Sequence, residues 1–422
     1  MSKIPLNPVL DFGPSVWPLV NGLVAATPGT LNLGQGSPDT APDFVEAAAA
    51  EAVLGGLNQY TASQGHPRLV EAIAADYASS MGQPDLGGAN VAVAVGGCEA
   101  LCASFFALIT PGAGDEIIIM EPAFDCYDKQ VKLAGGRPVF VPLVPGSGDA
   151  NSWQLDMAAV EAVTSDATRA IVVTNPHNPL GKVWSRTELE AIAAYAQAHN
   201  VVVISDEVYD RLAYDADAPH IRMASLPGMF ERTLTIGSAG KTFSVTGWKI
   251  GWAVGPAPLV KHVWLARQWM SFTLATPLQE ATAVAFELAG PDGKHASYFA
   301  DYAADMDAKR KVLYDGLLAA GLNPIYPRGS YFVMANIAHL EPFLPPPPAD
   351  SPPASLDMRF TEWLIAEHGV ACIPCGWAFY SADHAKLGAS YVRFSFSRSM
   401  DLVEAAVAKL APLAELAATT SS

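Results

Sequence analysis

Between residues 91 and 254 the chain alternates short apolar runs with segments of helical period. The runs at 91–95, 116–120, 138–142, 169–174, 201–205, 233–236 and 249–254 read as strands. Segments 99–108, 127–134, 156–163 and 187–199 read as the helices between them. Strands that are apolar throughout are buried on both faces, and their alternation with helices predicts a mostly parallel, seven-stranded sheet of the α/β class. Ligands bind such sheets at the carboxyl ends of the strands. The glycines and polar residues of this chain gather at those ends.

The flanks differ in texture. Residues 1–45 are rich in Pro, Gly and Asn around Trp17 and predict an irregular arm. Residues 44–54 have helical composition stopped by Gly55-Gly56, and a second helix is expected to end near Met81-Gly82. A long helical stretch is expected from about 277, through 298–318, to Gly321. A smaller mixed unit follows: strand 331–336, helix 358–367, strands 370–373 and 391–396, and a final helix 402–416. Pro342, Pro345-Pro346-Pro347-Pro348 and Pro352-Pro353 mark a low-complexity loop, expected to be exposed polyproline II. The expected division is an N-terminal arm with a small-domain segment (1–45), a large domain (46–295) and a small C-terminal α/β domain (296–422).

Composition narrows the function. Half of the 422 residues are hydrophobic and 16% are charged, which is the make-up of a well-packed globular protein. A net charge of −17 argues against a nucleic-acid partner, which wants a basic face. No apolar run reaches the roughly 18 residues of a membrane span, and residues 1–12 lack the pattern of a signal peptide, so a cytoplasmic enzyme is expected. Five scattered cysteines argue against a disulfide framework. Cys372-Ile373-Pro374-Cys375 has no second ligand pair nearby, so packing is expected there and no metal site.

The candidate chemistry sits at strand ends. Val95-Gly96-Gly97-Cys98-Glu99 opens a helix through two glycines, and its free N–H groups and positive dipole end suit a phosphate. Phe124, after the second strand, could lie flat on a planar heterocycle or simply pack at a helix start. Thr174-Asn175-Pro176-His177-Asn178-Pro179 offers the Asn178 amide just beyond a strand. Asp206 follows four apolar residues, so its carboxylate starts in or beside the core, where it needs a cation or a strong donor. Locally, an Asp capping the next helix serves equally well. Tyr209 is three residues further on. Ser238-Ala239-Gly240-Lys241-Thr242 places a lysine among small residues after the sixth strand, with Lys249 eight positions later. A phosphate cradle, a stacking ring, an amide, a buried acid, a tyrosine and a lysine in that order form the inventory that holds pyridoxal 5′-phosphate.

With these motifs the sequence resembles the class I/II aminotransferases of fold type I. Within them it is most similar to the kynurenine aminotransferase, glutamine transaminase K and cysteine-conjugate β-lyase group. The resemblance rests on Asn32-Leu33-Gly34-Gln35-Gly36, Asn58-Gln59-Tyr60-Thr61, Phe124-Asp125-Cys126-Tyr127, Asn178-Pro179-Leu180-Gly181-Lys182, Leu226-Pro227-Gly228-Met229 and Thr235 through Ser244. It implies a homodimer with active sites at the interface. It assigns Lys241 to the cofactor aldehyde, Asp206 to the pyridine nitrogen, Asn178 and Tyr209 to the phenolic oxygen, and Phe124 to the ring face. Phosphate contacts would come from the backbone of Gly97, Cys98 and Glu99, from Ser238 and Lys249, and from Tyr60 of the second subunit. Arg393 would grip the substrate α-carboxylate, helped by Gly36 and Asn178, and Trp17 would wall the side-chain pocket. The group commonly has Tyr or Thr where this chain has Cys98, and an aromatic or branched residue where it has Ser37.

The resemblance implies transfer of the amino group of large neutral or aromatic L-amino acids (kynurenine, glutamine, methionine or phenylalanine type) to a 2-oxo acid by a ping-pong mechanism. Lys241, Asp206 and Tyr209 would be the catalytic residues. Three readings compete. A β-lyase acting on cysteine conjugates uses the same parts, and an N-succinyldiaminopimelate-type aminotransferase shares the frame. A cofactor-sensing transcription regulator would need a basic DNA-binding unit ahead of this frame, and only a short arm precedes it.

Overall fold

In the computed structural model, residues 12, 13, 15–346 and 354–418 are described. All seven expected strands join one sheet, in the order Val91–Val95, Ile250–Val254, Thr233–Ser238, Val202–Asp206, Thr168–Thr174, Glu116–Glu121, Arg137–Pro142. Ile250–Val254 runs antiparallel to both neighbours, and the other pairings are parallel. Alternation along each strand divides the side chains between two cores. Ile118, Ile171 and Val203 face Trp153, Trp184 and Leu189 on one side. Ile117, Ile119, Val172 and Ile204 face Leu101, Phe105 and Val260 on the other. Each fully buried isoleucine contributes roughly 1.5–3 kcal/mol. The sheet is therefore a rigid platform for its carboxyl edge.

A second, three-stranded antiparallel sheet sets Ile373–Pro374 and Phe332–Asn336 on either side of Tyr391–Ser395. The helices Tyr298–Ala319 and Met400–Leu410 cover it through Leu313, Leu317, Val403 and Leu410, which meet Val392 and Phe394. This sheet brings Arg393 to the large one.

Four expectations need correction. The arm is not wholly irregular: Val16–Ala26 is a helix, with Ser15 accepting from the Trp17 amide, and Leu31–Asn32 pairs in parallel with Val370–Ala371. Pro18 falls in the first turn, where a missing N–H costs nothing. The long helical stretch is two helices, Thr276–Ala289 and Tyr298–Ala319, parted at Gly290-Pro291. A further helix, Ala257–Ser271, was not expected; its prolines Pro256 and Pro258 read as breakers but stand at its start. The expected strand 370–373 is split between two sheets, and Pro412 divides the last helix into Met400–Leu410 and Leu413–Ala418.

Cys372 and Cys375 are both buried in apolar packing. Pro345 and Pro346 are exposed, and the rest of the proline-rich loop, 347–353, lies outside the described residues. Among the described residues no helix is long and apolar enough to cross a membrane.

Candidate active site

The carboxyl edge of the large sheet and the three-stranded sheet enclose a cavity of about 350 Å3. Trp17, Gly36, Gly97, Cys98, Phe124 and Asn178 line it, as do Asp206, Tyr209, Ser238, Lys241, Lys249 and Arg393. Residues nominated from five strand ends thus meet in one place. A larger cavity of about 880 Å3 shares Phe124 and Tyr127 but opens toward Asp128, Lys129 and Lys132. The amine, the buried acid and the guanidinium all face the smaller one.

Lys241 follows the strand Thr233–Ser238 in a single helical turn, Ala239–Thr242. Its Nζ donates to the Gly36 carbonyl at 2.9 Å and meets Tyr331 Oη at 2.6 Å. Tyr331 Oη also donates to the Gly36 carbonyl, at 2.6 Å. Burial pulls the Lys241 amine down to about 8, and Arg393 adds to that while Cys98 and Asp206 oppose it. The amine is thereby closer to its nucleophilic form at neutral pH than an exposed lysine.

Asp206 ends the strand Val202–Asp206 and is buried. Its Oδ2 accepts from Tyr127 Oη at 2.5 Å, and that hydroxyl also meets Thr174 Oγ1 at 2.9 Å. Among the described residues no cation lies within ion-pair distance of Asp206. Burial pushes its carboxyl up, against the Tyr127 hydrogen bond and the Lys241 charge. No helix follows it, so it is not a helix cap. A buried carboxylate beside the cavity, held by Tyr127 and a long contact from Val208 N at 3.5 Å and with no ion pair among the described residues, suits a cationic ligand.

Arg393 lies at the centre of its sheet with Trp17, Phe332 and Phe379 around it, the Phe332 ring 3.9 Å from its Cζ. Nη1 donates to Asn178 Oδ1 and Nη2 to the Gly34 carbonyl, both at 2.8 Å. Its Nε is buried without a partner. Burial pulls the guanidinium down to about 10, so it stays charged at neutral pH. With Asn178 Oδ1 occupied by Arg393, the amide N–H2 is left to donate into the cavity.

Opposite Arg393 is the anion cradle. The helix begins at Gly96, three residues earlier than expected. Gly96 has φ +72, and a Cβ there would lie 3.1 Å from Lys249 Nζ, so the lysine reaches over a bare backbone. Backbone N–H groups at the helix start, Ser238 and Lys249 line this part of the cavity, a donor set that could hold a phosphate.

Two nominees stand elsewhere. The Glu99 carboxylate turns back to accept from Val95 N at 2.6 Å, capping its own helix, and Glu99 does not line the cavity. Tyr60 is 83% exposed on the surface, edge-on to Phe272, and does not reach the cavity of its own chain. Sequence reasoning did not find Tyr127, Tyr331 or Phe332. Nor did it find the bond that fixes Trp17, whose Nε1 donates to Asp125 Oδ2 at 2.7 Å. The aromatic pair in Gly329-Ser330-Tyr331-Phe332, at the start of a strand, was the available signal for two of them.

A family model described as aminotransferase class I and II matches residues 28–410. Human kynurenine–oxoglutarate transaminase 1 is 43% identical over 399 residues, which cover 92% of this chain and 93% of that protein. Among solved structures, N-succinyldiaminopimelate aminotransferase from Mycobacterium tuberculosis superposes with a TM-score of 0.86 at 35% identity, covering 97% of this chain and 100% of the other. YbdL from Escherichia coli, identified with a methionine aminotransferase function, gives 0.84 at 28% identity, covering 97% and 100%.

Proposed function

The chain belongs to the class I and II aminotransferases, and from that premise we propose that it uses pyridoxal 5′-phosphate to move the amino group of large neutral or aromatic L-amino acids to a 2-oxo acid. The residues fit the cofactor on three counts. Asp206 is a buried acid without an ion-pair partner, the cradle before Gly97 is open backbone beside Lys249, and the Lys241 amine is partly discharged by burial. When bound, the cofactor supplies an aldehyde for the amine and a ring that withdraws electrons from the substrate's α-carbon.

Each step then needs a particular side chain. Lys241 would hold the cofactor through its aldehyde and, with its amine free, would serve as the base for the substrate's α-proton. Gly36 O and Tyr331 Oη receive the released Nζ, so the base stays at the reacting face. Asp206, anchored by Tyr127, would hold the ring nitrogen and favour its protonated form. Asn178 and Tyr209, which both line the cavity, would hold the phenolic oxygen. Arg393 binds the α-carboxylate and fixes the α-carbon over Lys241, and positioning of this kind is worth several kcal/mol.

The aromatic wall carries the substrate reading. Among the described residues, the only cations lining the cavity beyond Arg393 are Lys241 and Lys249, which would serve the cofactor. Trp17, Phe124 and Phe332 offer an apolar seat for a side chain and no partner for a second carboxylate. The names of the human transaminase and the methionine enzyme agree with that seat. Incubation of the purified protein with glutamine, methionine or kynurenine and 2-oxoglutarate should yield glutamate; absence of glutamate with every neutral donor would refute the proposal.

A second copy of the chain completes the site. Tyr60, Trp269, Met270 and Phe272 are exposed together with Leu54 and Leu57, an apolar surface of the kind that a subunit interface covers. Tyr60 from that copy would reach the phosphate. A monomer in sedimentation at micromolar concentration would contradict it.

A further inference from the structure

Beside the cavity lies a buried charge cluster that no step of the reaction touches. Asp206 and Tyr209 line the cavity, while Glu207 and Asp210 of the same turn face the cluster. One guanidinium bridges these two carboxylates. Arg222 Nη1 donates to Glu207 Oε2 at 2.9 Å, and Nη2 donates to Asp210 Oδ2 at 2.6 Å. Its Nε donates to Ser80 Oγ at 2.7 Å, and its Cζ lies 4.1 Å from the centre of the Tyr77 ring. Glu207 is wholly buried, and its other oxygen accepts from Ser205 Oγ at 2.8 Å and from Met223 N at 3.2 Å.

On the reading that the cavity takes pyridoxal 5′-phosphate, we propose that Arg222 is a positioning residue for the cofactor: by bridging Glu207 and Asp210 it fixes the turn on which Asp206 and Tyr209 stand. A carboxylate as buried as Glu207 is costly without a cation, so the fold and the ion pair form together. The rigid guanidinium fork reaches both acceptors, where an ammonium at the same place would meet one. The turn is thereby held at two points from outside the cavity, and Tyr127 holds the Asp206 carboxylate from another element.

The neighbours do not replace this bridge. Arg211 Nε is 3.7 Å from Asp210 Oδ2, and its Nη2 is bonded to Asp76. His220 Nε2 stands 3.5 Å from Glu207 Oε2 and makes no hydrogen bond. The cluster also packs against the strand that leads to the lysine. Trp252 Nε1 donates to Tyr77 Oη at 3.0 Å, and a Cβ on Gly237, directly before Ser238, would run into both.

The test uses the full chain freed of cofactor and two ligands, pyridoxal 5′-phosphate and its 1-deaza analogue, in which a C–H replaces the ring nitrogen. Dissociation constants are read from quenching of tryptophan fluorescence, at a temperature where each protein keeps its native near-ultraviolet circular dichroism. The unmutated chain should prefer pyridoxal phosphate by about ten- to a hundred-fold, the worth of a hydrogen bond to a charged group. In Arg222→Lys that preference should shrink at least about threefold, because a hydrogen bond weakens steeply off alignment, while affinity for the analogue changes less. Asp210→Asn, the milder change, should move the preference in the same direction and decides alone if Arg222→Lys does not fold. An unchanged preference, or an equal loss of affinity for both ligands, would overturn the proposal, since a role confined to stability weakens both alike. An unmutated chain that binds neither ligand would refute the cofactor reading itself, a failure separate from that of Arg222.

Discussion

Tyr127 Oη donates to Asp206 Oδ2 at 2.5 Å across a separation of 79 residues, and this is the shortest tie on the one cavity acid that has no ion-pair partner. Removing the hydroxyl leaves the carboxylate with only the long contact to Val208 N, at 3.5 Å. Tyr127→Phe should lower kcat/KM by about ten- to a hundred-fold, the effect of roughly 1.5–3 kcal/mol for a hydrogen bond to a charged group. Asp206→Asn should lower it further. An unchanged kcat/KM in Tyr127→Phe would show that Asp206 does not depend on this bond.

The position of the Lys241 amine on the pH scale makes capture of the cofactor pH-dependent. Burial lowers the amine to about 8 in the cofactor-free protein. Below that pH the amine is protonated and unreactive, and above it the free amine dominates. The rate at which cofactor-free protein is fixed to pyridoxal phosphate by borohydride should therefore rise through pH 8 and level off by about pH 9, not near the ordinary 10.5. Lys241→Ala should show no fixed cofactor in peptide maps at any pH.

Arg393 has three aromatic neighbours, two fixed acceptors and an unmet Nε. Arg393→Ala should cost about 2–5 kcal/mol in kcat/KM, roughly thirty-fold or more, expressed largely in KM. Borohydride fixation of the cofactor on Lys241 should persist, because Arg393 serves the substrate end. A variant with normal KM would remove Arg393 from the carboxylate site.

Gly36 is under a steric constraint that reaches the same arginine. A Cβ there would lie 2.6 Å from Phe332 Cζ and 3.2 Å from the Tyr331 ring. Gly36→Ala must displace Phe332, which covers Arg393, and disturb the carbonyl that receives Lys241 Nζ. Raised KM together with reduced kcat is expected from steady-state kinetics. Wild-type values for both would mean that the Phe332 ring moves aside freely.

Much of this site was legible in the sequence because its parts stand where apolar strands end. Asp206, Asn178 and Lys241 announce themselves as polar residues directly after buried runs, whatever the rest of the fold does. Tyr127 and Tyr331 carry no such mark, because their roles depend on which strands become neighbours. The Tyr127 hydroxyl reaches Asp206 only through the packing of the helix Cys126–Leu133 against the sheet. The helices Val16–Ala26 and Ala257–Ser271 were hidden by prolines in or beside their first turns, where proline marks a start as often as a break. The cradle reading concerns the backbone of Glu99 alone, and nothing in the sequence marks its side chain as the acceptor for Val95 N.

The central claim is that one cavity takes a large neutral amino acid by its carboxylate at Arg393 and hands its α-proton to Lys241. The most direct measurement is a single-turnover half-reaction, with cofactor-loaded protein mixed with one amino donor and no 2-oxo acid. Methionine, glutamine, phenylalanine or kynurenine should each give one equivalent of its 2-oxo acid per site and then stop, and Lys241→Ala should give none. Preference for aspartate or N-succinyldiaminopimelate, or continuing release of pyruvate and ammonia from a cysteine conjugate as the main activity, would contradict it.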